Sequence, residues 1–369
     1  MNEKQPDEAL DRFRAAVMAD PAAQQMLAEQ YDPAQFEAKA LECAARHGIT
    51  LTADTLSAHR AAPPVMRDWP DAAWLPVALS EAGVDWAHFA GAKPDRPFFE
   101  DSARAATLQP FNRLFRYRTP LDAFVARAPA PLPMPRGLIF HMSRCGSTLV
   151  AQMLDAVPDN VVLAEPPPFD SALRHGSDVL RAAAAALGRG HANYFLKTDA
   201  WHVNMLPAIR HAFPGVPWVF LYRDPVEVLA SHARMPGQHV APGVVPALDG
   251  LVPDGHGMEY AARILALICD AAVANHPRGG GLLVNYNELP KAVFTRILPH
   301  FGIATSPEEH ALMAQAGARD AKAPDRIFRP DGAAKRREAS EDVHAAARHI
   351  TPVYAGLEAI RAASPQAVV

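Results

Sequence analysis

One stretch constrains the fold of this chain most strongly, residues 137–150, which read Gly-Leu-Ile-Phe-His-Met-Ser-Arg-Cys-Gly-Ser-Thr-Leu-Val. A β-prone run, Leu138 to Phe140, breaks into small polar residues, Ser143 to Thr148, and apolar residues then return at helical spacing. This order predicts a strand, a loop and the start of a helix. Because backbone N–H groups at a helix N-terminus lack intrahelical partners and the helix dipole is positive there, the loop favours an anionic ligand.

Composition limits the class of protein. The chain has 369 residues, 49% of them hydrophobic and 21% charged, which suits one large domain plus a smaller one. A net charge of -4 gives no support to a nucleic-acid partner. Cys43, Cys145 and Cys269 lack the spacing of a metal site or disulfide framework, and neither a signal peptide nor a bilayer-spanning apolar run is visible. We therefore expect a cytoplasmic protein without a membrane partner.

Residues 7 to about 58 carry three short helix patterns. Asp20 and Asp32 each stand before a proline, as an N-capping acid before a proline at the first helical position does. Gly48 is placed to end a helix. Two stripes follow helical spacing, Leu10, Phe13 and Val17 in one and Phe36, Ala40 and Ala44 in the other. The residue chemistry favours a small helical segment.

The same region resembles the Nif-eleven-like leader-peptide domain. The likeness lies in Phe13, Asp32-Pro33-Ala34-Gln35-Phe36, His47-Gly48-Ile49 and Leu51-Thr52-Ala53-Asp54. In that family the segment guides modifying enzymes to a peptide. The resemblance therefore implies a peptide-recognition role for residues 1–60.

An aromatic-rich region follows the predicted linker Arg60 to Pro64 and extends from residue 68 to about 126. Clustered aromatic side chains favour core packing over an exposed binding face. The alternation of Leu75, Val77 and Leu79 predicts a strand, which Pro76 restricts to a sheet edge. We therefore expect a helical segment over residues 1–60, an accessory region and linker over 61–130, and a main domain over 131–369.

The main domain alternates apolar strands with helices, which predicts an α/β fold. The predicted elements after the loop are strand Val161 to Leu163, helix Ser177 to Leu187, strand Tyr194 to Leu196, helix Val203 to Phe213, strand Trp218 to Tyr222, helix Val226 to Arg234, helix Met258 to Asn275 and strand Leu282 to Asn285. Continuous apolar strands indicate a parallel sheet with helices on both faces, like that of P-loop proteins. The Pro- and Gly-rich stretch from Met235 to His256 is either a mobile lid or a long loop.

The loop lacks the residues that nucleoside triphosphates require. The standard loop reads G-x-x-x-x-G-K-[ST], with its lysine on the β- and γ-phosphates. When Gly146, Ser147 and Thr148 are laid on G-K-[ST], the lysine position is Ser147 and the first glycine position is His141. The cation is instead Arg144, two residues before the glycine. This pattern disfavours an ATPase or kinase.

The chain resembles sulfotransferases that use 3′-phosphoadenosine-5′-phosphosulfate. Their 5′-phosphosulfate loop has a basic residue followed by x-G-[ST]-[ST], and their 3′-phosphate segment reads R-[DN]-P-x-[DE]-x-x-x-S. The first pattern is met by Ser143, Arg144, Cys145, Gly146, Ser147 and Thr148, and the second by Arg223-Asp224-Pro225-Val226-Glu227-Val228-Leu229-Ala230-Ser231. The resemblance implies that these residues bind the co-substrate, with Arg223 and Ser231 converging on one phosphate.

The same resemblance implies further site residues. Glu165, followed by proline, stands where many bacterial and carbohydrate-directed members place the acceptor base. Lys197 matches a lysine near the sulfuryl group. The histidine that often follows that lysine is Asp199 here, with His202 as a reserve. The last cofactor segment is echoed in residues 328–336, which adds Arg329 and Lys335 as ligands.

Sulfuryl transfer requires positioning and charge stabilisation, so the resemblance implies no metal. The predicted catalytic residues are Glu165, Arg144 and Lys197. The resemblance implies a hydroxyl or amine as the acceptor, on an unknown small molecule, such as a secondary metabolite, or on a peptide. Two alternatives stay open, a non-catalytic nucleotide- or peptide-binding module on the same fold and a P-loop nucleotide kinase. The sequence leaves the oligomeric state open.

Overall fold

The structure is a computed structural model, and it describes residues 4–57, 65–252, 256–320, 323–327 and 332–363. The predicted linker 60–64 and the predicted ligand Arg329 lie outside the described residues. The chain divides into two compact units, Met1–Pro133 with Pro166–Gly190 and Met134–Glu165 with His191–Val369. The three-part division expected from the sequence stays a prediction.

The strands of the described residues are short, and in chain order they are β1 (Trp74–Ser80), β2 (Gly83–His88), β3 (Tyr117–Thr119), β4 (Gly137–His141), β5 (Asn160–Ala164), β6 (Asn193–Lys197), β7 (Trp218–Tyr222), β8 (Gly281–Asn285), β9 (Arg319–Asp320) and β10 (Ala323–Ile327).

The α-helices of the same residues are α1 (Lys4–Met18), α2 (Pro21–Ala28), α3 (Pro33–Arg46), α4 (Ala53–Ser57), α5 (Phe99–Thr107), α6 (Pro110–Leu114), α7 (Leu121–Ala126), α8 (Ser147–Asp155), α9 (Pro167–Ala172), α10 (Ser177–Gly188), α11 (Leu206–Ala212), α12 (Pro225–Arg234), α13 (Gly257–Asn275), α14 (Leu298–His300), α15 (Pro307–Gly317), α16 (Gly332–Glu338), α17 (Glu341–Ala347) and α18 (Thr351–Ala363).

The second unit is built on a five-stranded parallel sheet with the strand order β5-β6-β4-β7-β8. Strands β4, β5 and β7 are buried along their whole length, because helices cover both faces of the sheet. The predicted α/β fold is therefore confirmed. β9 and β10 form a separate antiparallel pair.

The strand order of the parallel sheet determines where a ligand can bind. From the central strand β4 the chain continues outward to β5, returns to β6, and then crosses to β7 on the other side of β4. Such a switch point opens a crevice at the carboxyl ends of the strands, where ligands of open α/β sheets bind. The predicted loop, Glu165, Lys197 and Arg223 each directly follow or end one of these strands at this edge.

One helix predicted for this unit is wrong, because the chain forms two shorter elements there. The expected helix Val203 to Phe213 is a 3-10 turn, Ala200–Met205, followed by the shorter α11. Pro207 stands in the first turn of α11, where it fits because its missing N–H would have no intrahelical partner. A helix that continued through this position would need that hydrogen bond, so the chain starts a new helix there.

The first unit contains a three-stranded antiparallel sheet, β1-β2-β3. β1 lies at its edge, as Pro76 predicts, and the pairing with β2 is irregular between Pro76 and Ala78. Strands β2 and β3 were not predicted from the sequence. The aromatic side chains form the core, as expected, and the buried ones include Trp74, Trp86, Phe99, Phe111, Phe115 and Phe124.

The N-terminal helices pack on this aromatic core. Asp20 and Asp32 cap α2 and α3, each side chain accepting hydrogen bonds from two backbone N–H groups. Phe13 meets Phe115 edge to face at 5.6 Å between ring centroids, and Trp74 donates its indole N–H to Gln24 at 2.8 Å. Residues 4–57 therefore share one core with the aromatic region.

No helix in the described part of the chain is long and apolar enough to cross a membrane. The cytoplasmic location stays a prediction.

Candidate active site

The loop between β4 and α8 has an unusual backbone. Ser143 and Arg144 have φ angles of 75° and 51°, and Gly146 has 88°. Left-handed conformations of non-glycine residues are uncommon, cost of order 1–3 kcal/mol each, and cluster at functional sites. Four of the described non-glycine residues have a positive φ. Three of them, Ser143, Arg144 and Glu165, lie at the edge of the sheet that the carboxyl ends of its parallel strands form.

Position 146 admits only glycine, for two reasons. Its φ of 88° disfavours residues with a side chain. A Cβ there would also come within 2.8 Å of side-chain atoms of both Tyr286 and Leu289. The loop therefore lies directly against the segment that follows β8.

The loop side chains point in different directions. Ser147 is buried and Thr148 half-buried at the start of α8. Cys145 is buried and donates its thiol to the carbonyl oxygen of Leu221 at 3.0 Å. Burial raises the pKa of Cys145 to about 12, so the thiol stays protonated. The side chain of Cys145 fills space under the loop, and only its backbone is placed to contact a ligand.

Arg144 is half-buried, and its guanidinium donates to the carbonyl oxygen of Met235 at 2.7 Å. Burial lowers the pKa of Arg144, whereas the negative charge of Glu165 acts in the opposite direction. Met235 caps the end of α12 and begins the Pro- and Gly-rich stretch. The predicted phosphosulfate arginine thus holds the start of this stretch.

Glu165 and Lys197 form an ion pair. The ammonium of Lys197 contacts Oε1 of Glu165, and Nε2 of His141 lies 3.3 Å from the same oxygen. Although burial acts to raise the pKa of Glu165, the neighbouring charge of Lys197 and the hydrogen bonds from His141 and Lys197 hold it well below its usual range. At neutral pH this carboxyl group is ionised and a weak proton acceptor.

His141 was missed as a site residue by sequence reasoning. Its Nδ1 accepts the backbone N–H of Ser143 at 3.0 Å, so the proton of the neutral ring is on Nε2, which lies 3.0 Å from the carbonyl oxygen of Thr198. Burial lowers the pKa of His141, and the charge of Lys197 lowers it further. This neutral histidine links the loop to β6 and to Glu165. Its only signal in the sequence is its place between the strand and the loop.

Arg223 is buried at the end of β7, and two side-chain contacts hold it. Its Nε donates to Oε2 of Glu227 at 2.6 Å, and its guanidinium carbon lies 3.8 Å from the ring centroid of Tyr286. Arg336 of α16 contacts the other oxygen of Glu227. Two guanidinium groups thus share the carboxylate of Glu227. Glu227 and Arg336 lie in the two quoted cofactor segments, but no role was predicted for either of them from the sequence.

Ser231 lies on α12, half-buried, two turns after Arg223. Its hydroxyl donates to the backbone carbonyl oxygen of Glu227 at 2.8 Å. Lys335 is half-buried on α16, next to Arg336. The structure therefore brings Arg223 and Ser231 onto one strand-to-helix junction and places α16 against its acidic residue.

The reserve base His202 is engaged by Asp199. Nδ1 of His202 accepts the backbone N–H of Asp199 at 3.2 Å, and Nε2 lies 3.7 Å from the carboxylate of that residue. The pair forms a capping box at the start of the 3-10 turn. These contacts show that the side chain of His202 helps to cap the 3-10 turn.

The assembled edge can hold two anionic groups. One position faces the N-terminus of α8 and Arg144, and the other faces Arg223 and Ser231 on the junction of the neighbouring strand β7. A Lys197–Glu165 pair stands on the other side of β4. Two anion positions and a titratable pair at one sheet edge can support transfer of a charged group.

No protein-family model and no curated protein matches this chain. Among solved structures, the sulfotransferase domain from the Synechococcus PCC 7002 olefin synthase is 16% identical over 61% of this chain and 97% of that chain, with a TM-score of 0.41. Sulfotransferase STF1 from Mycobacterium tuberculosis H37Rv is 15% identical over 65% and 83%, with a TM-score of 0.40. A sulfotransferase from Alicyclobacillus acidocaldarius is 14% identical over 64% and 98%, with a TM-score of 0.41. Identities and TM-scores this low transfer no function to this chain.

Proposed function

We propose that this chain transfers a sulfuryl group from 3′-phosphoadenosine-5′-phosphosulfate to a hydroxyl or amine of a small molecule or peptide. One observation carries the proposal: Arg144 in a loop without the triphosphate lysine, and Arg223 on the adjacent strand junction, stand at the same sheet edge. Two separated cationic positions fit a nucleotide that bears a phosphate at each end of its ribose. A triphosphate chain needs its lysine at a single position.

The proposed 5′ position consists of the first-turn N–H groups of α8 with Arg144, Ser147 and Thr148. These donors would neutralise the charge that gathers on the departing phosphate. Arg144 can offer two parallel hydrogen bonds, but it is a poor proton donor because its pKa is high, so the leaving group departs as an anion. In this proposal Arg144 exchanges the carbonyl oxygen of Met235 for the ligand.

The proposed 3′ position consists of Arg223 and Ser231, with Lys335 and Arg329 as further ligands. Glu227 fixes Arg223 through Nε, and in this proposal the terminal nitrogens of Arg223 bind the phosphate. Tyr286 beneath the guanidinium holds the plane of the arginine. A pre-positioned arginine loses less side-chain entropy when it binds its ligand.

Lys197 is proposed to stabilise the transferred group, and Glu165 to hold its ammonium. Support comes from their ion pair and from the burial of Lys197. The base role expected of Glu165 stays a prediction, because its low pKa makes it a weak proton acceptor while Lys197 is bound.

Transfer can be tested without knowledge of the natural acceptor. The purified protein is incubated with the proposed donor and a panel of phenols, alcohols and serine- or tyrosine-containing peptides, with and without chelator. We expect chelator-insensitive release of 3′,5′-adenosine bisphosphate with sulfation of at least one class. Absence of release, together with Mg²⁺-dependent turnover of ATP, would instead establish the kinase alternative.

A further inference from the structure

His239 lies in the first 3-10 turn after α12, Gln238–Val240. This turn is near His141, Arg144 and Glu165, whose charges act on His239. The ring centroid of His239 lies 6.2 Å from that of Trp201, in the turn after β6, and 5.4 Å from that of His232 on α12. Gly237 makes this arrangement possible, since a Cβ there would lie 2.8 Å from Cε1 of His239. His239 belongs to the stretch that Arg144 holds through Met235.

The side chain of His239 is buried, with 7% of its surface exposed, yet its Nε2 has no hydrogen-bond partner among the described residues. A buried polar atom left without a partner has lost its hydrogen bonds to water and destabilises the fold. Such an atom is satisfied by an ordered water or a ligand, or it serves in catalysis. A hydroxyl group of the sulfuryl acceptor, bound nearby, would satisfy Nε2 by donating a hydrogen bond to it.

The charges that act on His239 are those of the site. Burial lowers its pKa to about 4, His141 and Arg144 lower it as well, and Glu165 acts to raise it. His232 is its titratable ring neighbour. The buried residues of α13, which packs on the same turn, include no charged side chain. At neutral pH the ring of His239 is therefore uncharged, and it can take up a proton.

The proposed reaction releases one proton. When the acceptor oxygen forms its bond to sulfur, the bond from sulfur to the departing phosphate breaks, the phosphate keeps the electron pair, and the hydroxyl proton needs an acceptor. Oε1 of Glu165 already contacts Lys197 and His141, and His202 is held by Asp199. Nε2 of His239 is buried and has no hydrogen-bond partner among the described residues.

We propose that Nε2 of His239 accepts the proton of the acceptor hydroxyl during transfer, which makes His239 a catalytic residue that the sequence motifs do not reveal. The inference rests on the proposed function. An anionic donor bound at Arg144 favours the charged form of a nearby histidine. Donor binding therefore raises the proton affinity of His239 at the step that requires it.

The test compares His239→Gln with His211→Gln, which removes an exposed histidine on α11, and with Glu165→Gln. Two quantities are measured: calorimetric binding of 3′,5′-adenosine bisphosphate, and the single-turnover rate of donor hydrolysis, with water as acceptor, across pH. We expect His239→Gln to bind the nucleotide within twofold of wild type and to hydrolyse the donor about a hundredfold more slowly. Its rate should also lose the acid limb that wild type, His211→Gln and Glu165→Gln retain.

The inference is overturned if His239→Gln keeps the wild-type rate, if it loses nucleotide binding, or if Glu165→Gln alone abolishes the acid limb. Failure of the proposed function gives a different result, since the wild-type protein would then neither bind the nucleotide nor hydrolyse the donor. A proton NMR titration of the His239 ring in the wild type covers the case of a misfolded variant. Its pKa should rise when 3′,5′-adenosine bisphosphate is added, and an unchanged pKa would contradict the inference.

Discussion

At the scale of single residues, Arg144 has the position and charge that the proposed reaction uses most. Its replacement by alanine removes the cation beside the departing phosphate, which by comparison with oxyanion donors is worth about 3 kcal/mol. We expect Arg144→Ala to slow single-turnover release of 3′,5′-adenosine bisphosphate roughly a hundredfold with an unchanged thermal unfolding midpoint. Arg144→Lys, which keeps the charge, serves as the control and should retain more activity. A wild-type rate in Arg144→Ala would remove Arg144 from the mechanism.

Gly146 offers a residue-scale test of the loop geometry. Gly146→Ala combines a left-handed backbone with a contact of 2.8 Å to Tyr286 and Leu289, so we expect it to destabilise the second unit by about 2–3 kcal/mol in urea unfolding. Gly215→Ala is the matched control, because Gly215 has a φ of 80° and no atom within 4 Å of its Cβ position. Equal losses in the two variants would show that the contact with Tyr286 does not matter.

Residue types at motif positions could be predicted, but their partners could not. The sequence places Arg223 and Ser231 eight residues apart across a strand-to-helix junction, and the structure has that junction. Glu227 and His141 were missed as site residues because their tasks depend on contacts with Arg336 and Thr198, far away in the chain. Such pairings are set by tertiary packing, which local periodicity does not contain.

At the scale of elements, β7, β8 and α18 are joined by a polar network around Glu358. Its carboxylate accepts hydrogen bonds from Tyr222, Asn285 and Arg361. Burial acts to raise the pKa of Glu358, but these three donors outweigh it and lower the pKa to about 2. The carboxylate therefore stabilises the fold fully above its unfolded pKa of about 4.5, and this contribution is lost as the pH falls towards 2.

The network predicts a pH-dependent effect of Glu358→Gln. We expect a loss of about 1–2 kcal/mol in the free energy of unfolding at pH 7, which shrinks as the pH falls below 4.5. Urea unfolding between pH 7 and pH 2.5 measures it, with Glu259→Gln on the exposed side of α13 as control. A loss of the same size at every pH would mean that the charge of Glu358 does not contribute.

Elements of the parallel sheet could be predicted well, because each buried strand is a continuous apolar run. Strand β7 is predicted with its observed bounds, Trp218 to Tyr222. β3 has only three residues, Tyr117–Thr119, too few for a periodic signal. Val203 to Phe213 does not form the one predicted helix, because Pro207 lacks the N–H that a continuous helix needs there.

At the scale of the whole molecule, the proposed nucleotide ligands all lie in the second unit, whereas the aromatic core belongs to the first. Phe13 is fully buried in that core. Phe13→Ala should therefore cost the first unit about 3–5 kcal/mol and leave the affinity for 3′,5′-adenosine bisphosphate unchanged below its unfolding temperature. Leu108→Ala, at an exposed leucine of the same unit, is the control. Weakened binding in folded Phe13→Ala would show that the first unit contributes to the nucleotide site.

The shared core also bears on the leader-peptide hypothesis for residues 1–60. Gln24 and Phe13 contact Trp74 and Phe115, so deletion of the N-terminal helices would expose aromatic core and confuse loss of fold with loss of recognition. Surface substitutions on α3 test peptide recognition more cleanly. Alanine at Lys39 and Glu42, both exposed, should change the use of peptide acceptors but not of small phenols if the hypothesis holds.

The central claim is that two anion positions at one sheet edge bind a nucleotide with phosphates at both ends of its ribose. Calorimetric titration with 3′,5′-adenosine bisphosphate beside ATP, each without and with Mg²⁺, tests it directly. We predict metal-independent binding of the bisphosphate, no comparable binding of ATP, and a loss of affinity of at least tenfold in both Arg144→Ala and Arg223→Ala. Tighter binding of ATP that depends on Mg²⁺, or bisphosphate binding that neither substitution weakens, would contradict it.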